Sequence, residues 1–202
     1  MRKTNNYLRA EFLTVLLVSL IIYTAIAYIV TTPRLEEEYF QMYILGMNKT
    51  ADKYYPHENN NTIPLNTNVT WYIIVENYIR KSSIALIKFK LGNSTTKVVN
   101  NSSFEPADIP VIQEITKVLL PEEKWVIKIT WKIAKIEKIN ELYYLTLDFN
   151  GTEKTIYELG SKESFRFVIE LWTYSNGKFI LGWDSKQGRK VAWLQMWFKI
   201  QS

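Results

Sequence analysis

The chain has no cysteine, so no disulfide can staple it and no thiolate can act as nucleophile or metal ligand. A single histidine, His57, leaves no second imidazole for a zinc site or a proton relay. Glycine and proline are sparse, at 7 and 6 residues, which excludes collagen-like and low-complexity chains. No cluster of lysine or arginine occurs either. Of 25 basic and 20 acidic residues, three basic and one acidic precede residue 31, and the rest nearly balance. That balance argues against nucleic acid as a partner. No Gly-x-Ser-x-Gly elbow and no internal repeat is present.

What the chain does have is one long apolar run. Phe12 to Val30, FLTVLLVSLIIYTAIAYIV, is nineteen residues without a charge, Gly or Pro. As a helix it spans about 28 Å, close to the roughly 30 Å hydrocarbon core of a bilayer. Thr14, Ser19 and Thr24 fall singly, and no polar stripe forms for water to meet. Arg2, Lys3 and Arg9 precede the run, whereas Arg34 and the acidic Glu36, Glu37 and Glu38 follow it. The positive-inside bias then puts residues 1–11 in the cytoplasm as a stub, 12–30 in membrane lipid, 31–37 in a juxtamembrane linker and 38–202 outside the cell. Two other readings stay open. Ala25-Ile26-Ala27 is a small-x-small site after which a signal peptide is cut. Arg9-Ala10 before Glu11 looks like the processing site of an archaeal type IV pilin precursor, which would leave the helix on a filament subunit.

Asparagine usage supports export. Seven N-x-S/T sequons occur, at Asn48, Asn60, Asn68, Asn93, Asn100, Asn101 and Asn150, and all lie beyond the apolar run. Chance would give roughly two. Glycan acceptors belong on exposed positions of an exported domain. Asn100 and Asn101 overlap, so one of them is occupied at a time.

Residues 38–202 read as strands. Phe40, Met42 and Ile44 alternate with Gln41 and Tyr43, and Trp71–Val75 and Ile84–Leu91 follow. The stretches 46–68 and 93–110 read as connections. Ile115–Leu120 leads through Pro121-Glu122-Glu123-Lys124 into Trp125–Ile133, where Trp125, Ile127, Ile129, Trp131 and Ile133 share one face. Leu142–Phe149 and Thr155–Leu159 flank Asn150-Gly151, and Phe165–Tyr174 and Phe179–Trp183 flank Asn176-Gly177, both type I′ turn signals. Val191–Ile200 is apolar on both faces and reads as a central strand. The expected fold is mainly β: an N-terminal transmembrane α-helix followed by an antiparallel β-sandwich, with a barrel as the alternative.

Several motifs carry a resemblance. Tyr39-Phe40-Gln41-Met42-Tyr43-Ile44-Leu45-Gly46, then Ala51-Asp52, Tyr55-Pro56 and Asn68-Val69-Thr70, resemble the exterior domain of an archaeal membrane-protein family, the domain-of-unknown-function 1616 family. Val75-x-Asn77, Leu91-Gly92-Asn93, Leu120-Pro121-Glu122-Glu123 and Ala192-Trp193-Leu194-Gln195 fit the same template, and the likeness covers roughly residues 35–200. Longer members carry several membrane helices where this chain has one, so any role of those helices does not transfer. The family has no assigned activity. The resemblance therefore implies an immunoglobulin-like surface domain and brings no catalytic residues.

Candidate sites are few. His57 stands in a polar loop without a Cys or His partner and reads as a surface residue. Glu36-Glu37-Glu38 lacks the spacing of a calcium loop. Asp148, Glu153, Glu158, Glu163 and Glu170 are the carboxylates from which a glycosidase pair would come. Trp125, Trp131, Trp193 and Trp197 read as core, while Trp172 faces away from Phe167 and Ile169. No catalytic residue, metal or cofactor is expected. The expected role is structural or binding contact with an envelope protein or glycan, ahead of a pilin-type subunit and an exported glycan-acting enzyme.

Overall fold

The computed structural model describes residues 4–31, 38–56, 61–140, 142–156, 164–186 and 188–201. The chain divides into two compact units, Met1–Glu37 and Glu38–Ser202.

In the first unit, α1 (Thr4–Thr31) is one continuous helix, and its segment Glu11–Thr31 is long and apolar enough to cross a membrane. Two of its threonine hydroxyls bond to the helix itself. Thr24 Oγ1 donates to the Leu20 and Ile21 carbonyls, and Thr31 Oγ1 to that of Ala27. Such bonds back to the i−3 and i−4 carbonyls let a hydroxyl sit on an apolar helix without an outside partner.

The second unit contains β1 (Phe40–Leu45), β2 (Thr62–Ile63), β3 (Val69–Asn77), β4 (Ser83–Asn93), β5 (Val111–Leu119), β6 (Lys124–Ile139), β7 (Leu142–Phe149), β8 (Thr152–Ile156), β9 (Ser164–Ser175), β10 (Lys178–Leu181), β11 (Trp183–Ser185), β12 (Gly188–Lys190) and β13 (Trp193–Ile200). One large sheet runs β1-β3-β6-β7-β8 and a second β2-β13-β9-β4-β5, with β10 paired to β9, and β11 and β12 form a separate two-stranded sheet. The two large sheets are open and lie face to face, so the fold is a sandwich and not a barrel.

Its wiring is immunoglobulin-like. β3 pairs with β6 in one layer, while β4, β9 and β13 pair in the other. These hold the positions of strands B, E, C, F and G, with β5 added beside β4. β7 and β8 extend the first layer as a meander before the chain crosses to β9. Among the described strands one pairing departs from the antiparallel rule: the two-residue β2, within a stretch expected to be loop, lies parallel to β13.

Period-two patterning accounts for the core. The inner residues of β6 (Ile127, Ile129, Trp131, Ile133) and of β7 (Leu145, Leu147, Phe149) meet Phe165, Phe167, Ile169 and Phe198 from the facing sheet. Trp131 sits at the centre, its ring centroid 5.1 Å from Trp71, 4.7 Å from Phe167 and 5.0 Å from Phe198. Such pairs add about 0.5–1.5 kcal/mol each beyond area burial.

β13 differs from expectation. Leu194, Met196, Phe198 and Ile200 pack against the core, whereas Trp193 and Trp197 lie half-buried on the opposite face. The strand is apolar on both sides because a second layer of chain covers its outer face. It is flanked on both sides, by β9 along most of its length and by β2 at Lys199 and Ile200. β6 continues six residues past Ile133 across a bulge at Ile133/Lys135, and β8 begins at Thr152, ahead of the expected Thr155.

Candidate functional site

The loop after β1 holds the first acceptor. Gly46 closes a turn in which its N–H donates to the Thr50 carbonyl and its carbonyl accepts from Lys49 N–H, both at 2.9 Å. A Cβ on Gly46 would stand 2.1 Å from the Asp52 carbonyl oxygen, so only glycine fits. The loop then sends Tyr55 inward: its ring meets Trp71 edge-on at 6.0 Å, and its hydroxyl donates to the Trp197 carbonyl. Burial pushes the Tyr55 hydroxyl's pKa well up. The Leu-Gly and Tyr-Pro motifs thus close one end of the sandwich.

Asn48 is exposed on this loop, and Asn68 is exposed just ahead of β3. The two line one recess with Lys53, Tyr54 and Pro56. Asn68 also lines a second recess with Asn150, Lys128, Lys132 and Asp148. Three acceptors therefore border two adjoining recesses. Asn150 carries structure as well. It adopts φ +52° in the β7–β8 turn, its Oδ1 accepts from Thr130 N–H at 2.8 Å, and its Nδ2 donates to Gln113 Oε1 on β5 at 3.1 Å. One side chain ties the two sheets together.

The other described acceptors belong to the β4–β5 connection. Residues 94–110 fold back as a strap over the outer face of the second sheet, where Val99, Ala107 and Ile109 pack on Val168 and Leu181. Asn93 opens the strap and is only 3% exposed. Its Oδ1 accepts from Thr95 N–H, Thr95 Oγ1 and Thr96 Oγ1 at 2.7–2.9 Å. The folded domain offers no room for a glycan there. Asn100 and Asn101 are both exposed. Asn100 Oδ1 accepts from the Ser102 and Ser103 N–H groups, and Asn101 Oδ1 accepts from Trp193 Nε1 at 3.0 Å. Asn60 lies outside the described residues, as do His57, Glu36, Glu37, Glu158 and Glu163.

A buried ion pair anchors the strap. Lys90 on β4 is 4% exposed and Glu170 on β9 is 0% exposed, with Nζ 3.1 Å from Oε2. Lys90 Nζ also donates to the Ala107 carbonyl at 2.7 Å, while Glu170 accepts from Ala107 N–H at 2.7 Å and Trp172 Nε1 at 2.9 Å. Beside them Arg166 donates to the Thr96 carbonyl and lies over the Trp197 ring at 4.7 Å. Every oxygen of Glu170 is occupied by a structural partner.

The remaining carboxylates are likewise engaged or exposed. Asp148 accepts from Gly151 N–H at 2.9 Å and pairs with Lys132 at 3.4 Å. Glu153 is its exposed cross-strand neighbour, on a different sheet from Glu170. Glu38 lies 3.9 Å from Lys186 Nζ. Among the described residues no group of three His, Cys, Asp or Glu is placed to hold a metal ion. Lys90 and Arg166 carry no sequence signal of their role, since alternation marks both as solvent-facing. Only the strap above them makes that face an interior.

No protein-family model matches this chain. No curated protein matches it either. Among solved structures it is similar to the CARDB domain of the PF1109 protein of Pyrococcus furiosus, solved in complex with di-metal ions, at TM-score 0.40 and 8% identity over 85% of this chain and 95% of that one. It is also similar to part of a beta-glucosidase from Listeria innocua solved with gluconolactone, at TM-score 0.38 and 7% identity over 82% of this chain and 16% of that one. Overlaps this loose add nothing to the strand pairing described above, which by itself defines an immunoglobulin-like β-sandwich, preceded in the chain by one long apolar helix.

Proposed function

We propose that this is a single-pass, N-glycosylated cell-surface protein, its N-terminus cytoplasmic and its sandwich outside, making structural or binding contacts with envelope protein or glycan. The observation that carries the reading is the exposed apolar helix Glu11–Thr31 preceding a domain whose described sequons, Asn93 apart, stand on its surface. In this reading the protein works as a contact surface, with Glu170 and Asp148 engaged by Lys90 and Lys132. Membership in the domain-of-unknown-function 1616 family belongs to the same proposal, supported by Tyr43-Ile44-Leu45-Gly46 and Tyr55-Pro56. Protease added to intact cells is expected to remove the sandwich, and glycopeptide mass spectrometry to find sugar on at least one acceptor. A sandwich protected from protease with no glycan anywhere would overturn the reading.

A pilin-type filament subunit is the second reading, favoured by the unbroken run of α1 through Ala10 and Glu11. A mature N-terminus at Glu11 supports it, and an intact Met1 or Arg2 excludes it.

A further inference from the structure

Asn100 and Asn101 form overlapping sequons, Asn100-Asn101-Ser102 and Asn101-Ser102-Ser103, on the strap over the outer face of the second sheet. Their side chains do different things. Asn100 is folded onto its own loop: its backbone pairs with Glu105, and its Oδ1 holds the Ser102 and Ser103 N–H groups at 2.9 and 3.2 Å. Asn101 reaches off the strap to β13, where its Oδ1 takes the indole N–H of Trp193 at 3.0 Å. Its Nδ2, the atom a glycan would occupy, donates to nothing among the described residues and shares its carbon with the oxygen the indole touches. Trp193 is half-buried, packed on one side against the Val99–Val168 cluster. A sugar ring presents C–H faces that pack on an indole and hydroxyls that stay wet, so the two surfaces match.

We infer that Asn101 is the occupied member of the pair and that its first sugar packs against the Trp193 indole, fastening the 94–110 strap to β13. This rests on the glycoprotein reading above and goes further, because it assigns one acceptor and gives its glycan a mechanical role. The strap is otherwise held by Lys90 to Ala107, by Arg166 to Thr96, by the buried Val99 and by Arg189 over the Phe104 ring at 5.2 Å, and a sugar on Asn101 adds a tie where residues 100–103 are exposed.

The test uses the full-length chain extracted from its native membranes. Ser102→Ala breaks only the Asn100 sequon, and Ser103→Ala breaks only that of Asn101 while leaving the Asn101 side chain in place. The S102A chain is expected to keep sugar on the peptide after Lys97 and the S103A chain to lose it. The reverse, or a bare peptide beside glycans at other acceptors, overturns the inference and leaves the glycoprotein reading standing. No glycan on any acceptor overturns both. Trypsin cleavage at Lys97 is expected to run about tenfold faster in S103A than in the glycosylated parent. In chain made by a host without N-glycosylation the two should be cut alike; a tenfold difference there would assign the effect to the serine itself and overturn the mechanical role. Trp193→Ala is expected to speed cleavage more in the glycosylated chain than in the S103A background. Equal factors would remove Trp193 as the packing partner.

Discussion

The indole of Trp71 on β3 stands edge-on to the ring of Phe167 on β9, centroids 5.4 Å apart and planes at 87°. These strands occupy the B and F positions, where antibody domains place their inter-sheet disulfide. With no cysteine to bridge the layers, the chain joins them through this contact and through Trp131, which touches both rings.

Trp71→Ala or Phe167→Ala is expected to cost about 3–5 kcal/mol, because each opens a cavity the neighbouring rings cannot refill. Phe167→Leu should cost clearly less. Urea unfolding monitored by tryptophan fluorescence checks the order, and a Phe167→Ala midpoint equal to that of the parent would contradict the account.

The Lys90–Glu170 pair makes a different prediction. Replacing one member strands the other as a buried, uncompensated group, at about 3–5 kcal/mol, whereas replacing both with apolar residues of similar size is far milder. Glu170→Gln and Lys90→Met should each loosen the strap, measured as faster amide exchange at residues 94–110. The double variant Lys90→Met/Glu170→Leu should recover much of the loss. Purely additive costs would mean that the pair is not coupled.

Glu76 sets an acid dependence. It accepts from Tyr78 Oη at 2.7 Å and Tyr43 Oη at 2.9 Å and pairs with Lys124 at 3.0 Å. These contacts, the Tyr78 hydrogen bond foremost, hold its carboxyl below the ordinary value of 4.5. A depressed folded pKa stabilises above the unfolded value, and that contribution is lost as pH falls through the folded one. Glu76→Gln should therefore unfold at lower urea than the parent at neutral pH, with the two midpoints converging in acid below about pH 4. Curves that stay parallel down to pH 3 or so would show that Glu76 does not contribute this way.

Asn150 predicts an order of variants. Glycine tolerates the φ of +52° but loses both bridging hydrogen bonds, while alanine loses them and is strained as well. Stability should fall from parent to Asn150→Gly to Asn150→Ala, by about 1–2 kcal/mol at the first step. The comparison belongs in unglycosylated chain, since both changes destroy the sequon. A glycine variant as stable as the parent would show the tie to Gln113 and Thr130 to be idle.

Much of the fold was legible because its signals are local. The alternation of β6 and β7 named the core-facing residues correctly, from Ile127 to Phe149. Asn150-Gly151 marked its hairpin, since few residues besides Asn and Gly accept positive φ in succession. Trp193 packs on the smaller cluster under the strap and Trp197 lies half-buried on that same outer face, which the sequence does not distinguish from the inter-sheet core because an apolar residue looks the same on either face of a strand. Which face is covered depends on the strap, whose own sequence is polar and irregular. β2 is two residues long and carries no period at all.

What the sequence alone determined is the apolar span, the strand periods and the placement of every sequon beyond the span, all properties of residues close together in the chain. The tertiary structure alone decided which acceptors reach solvent, withdrawing Asn93 into a turn and turning Asn101 toward Trp193 ninety-two positions away. It also decided that Lys90 and Glu170 meet out of water, eighty positions apart. Burial and long-range pairing depend on how the two sheets and the strap pack, and no local pattern encodes that distance.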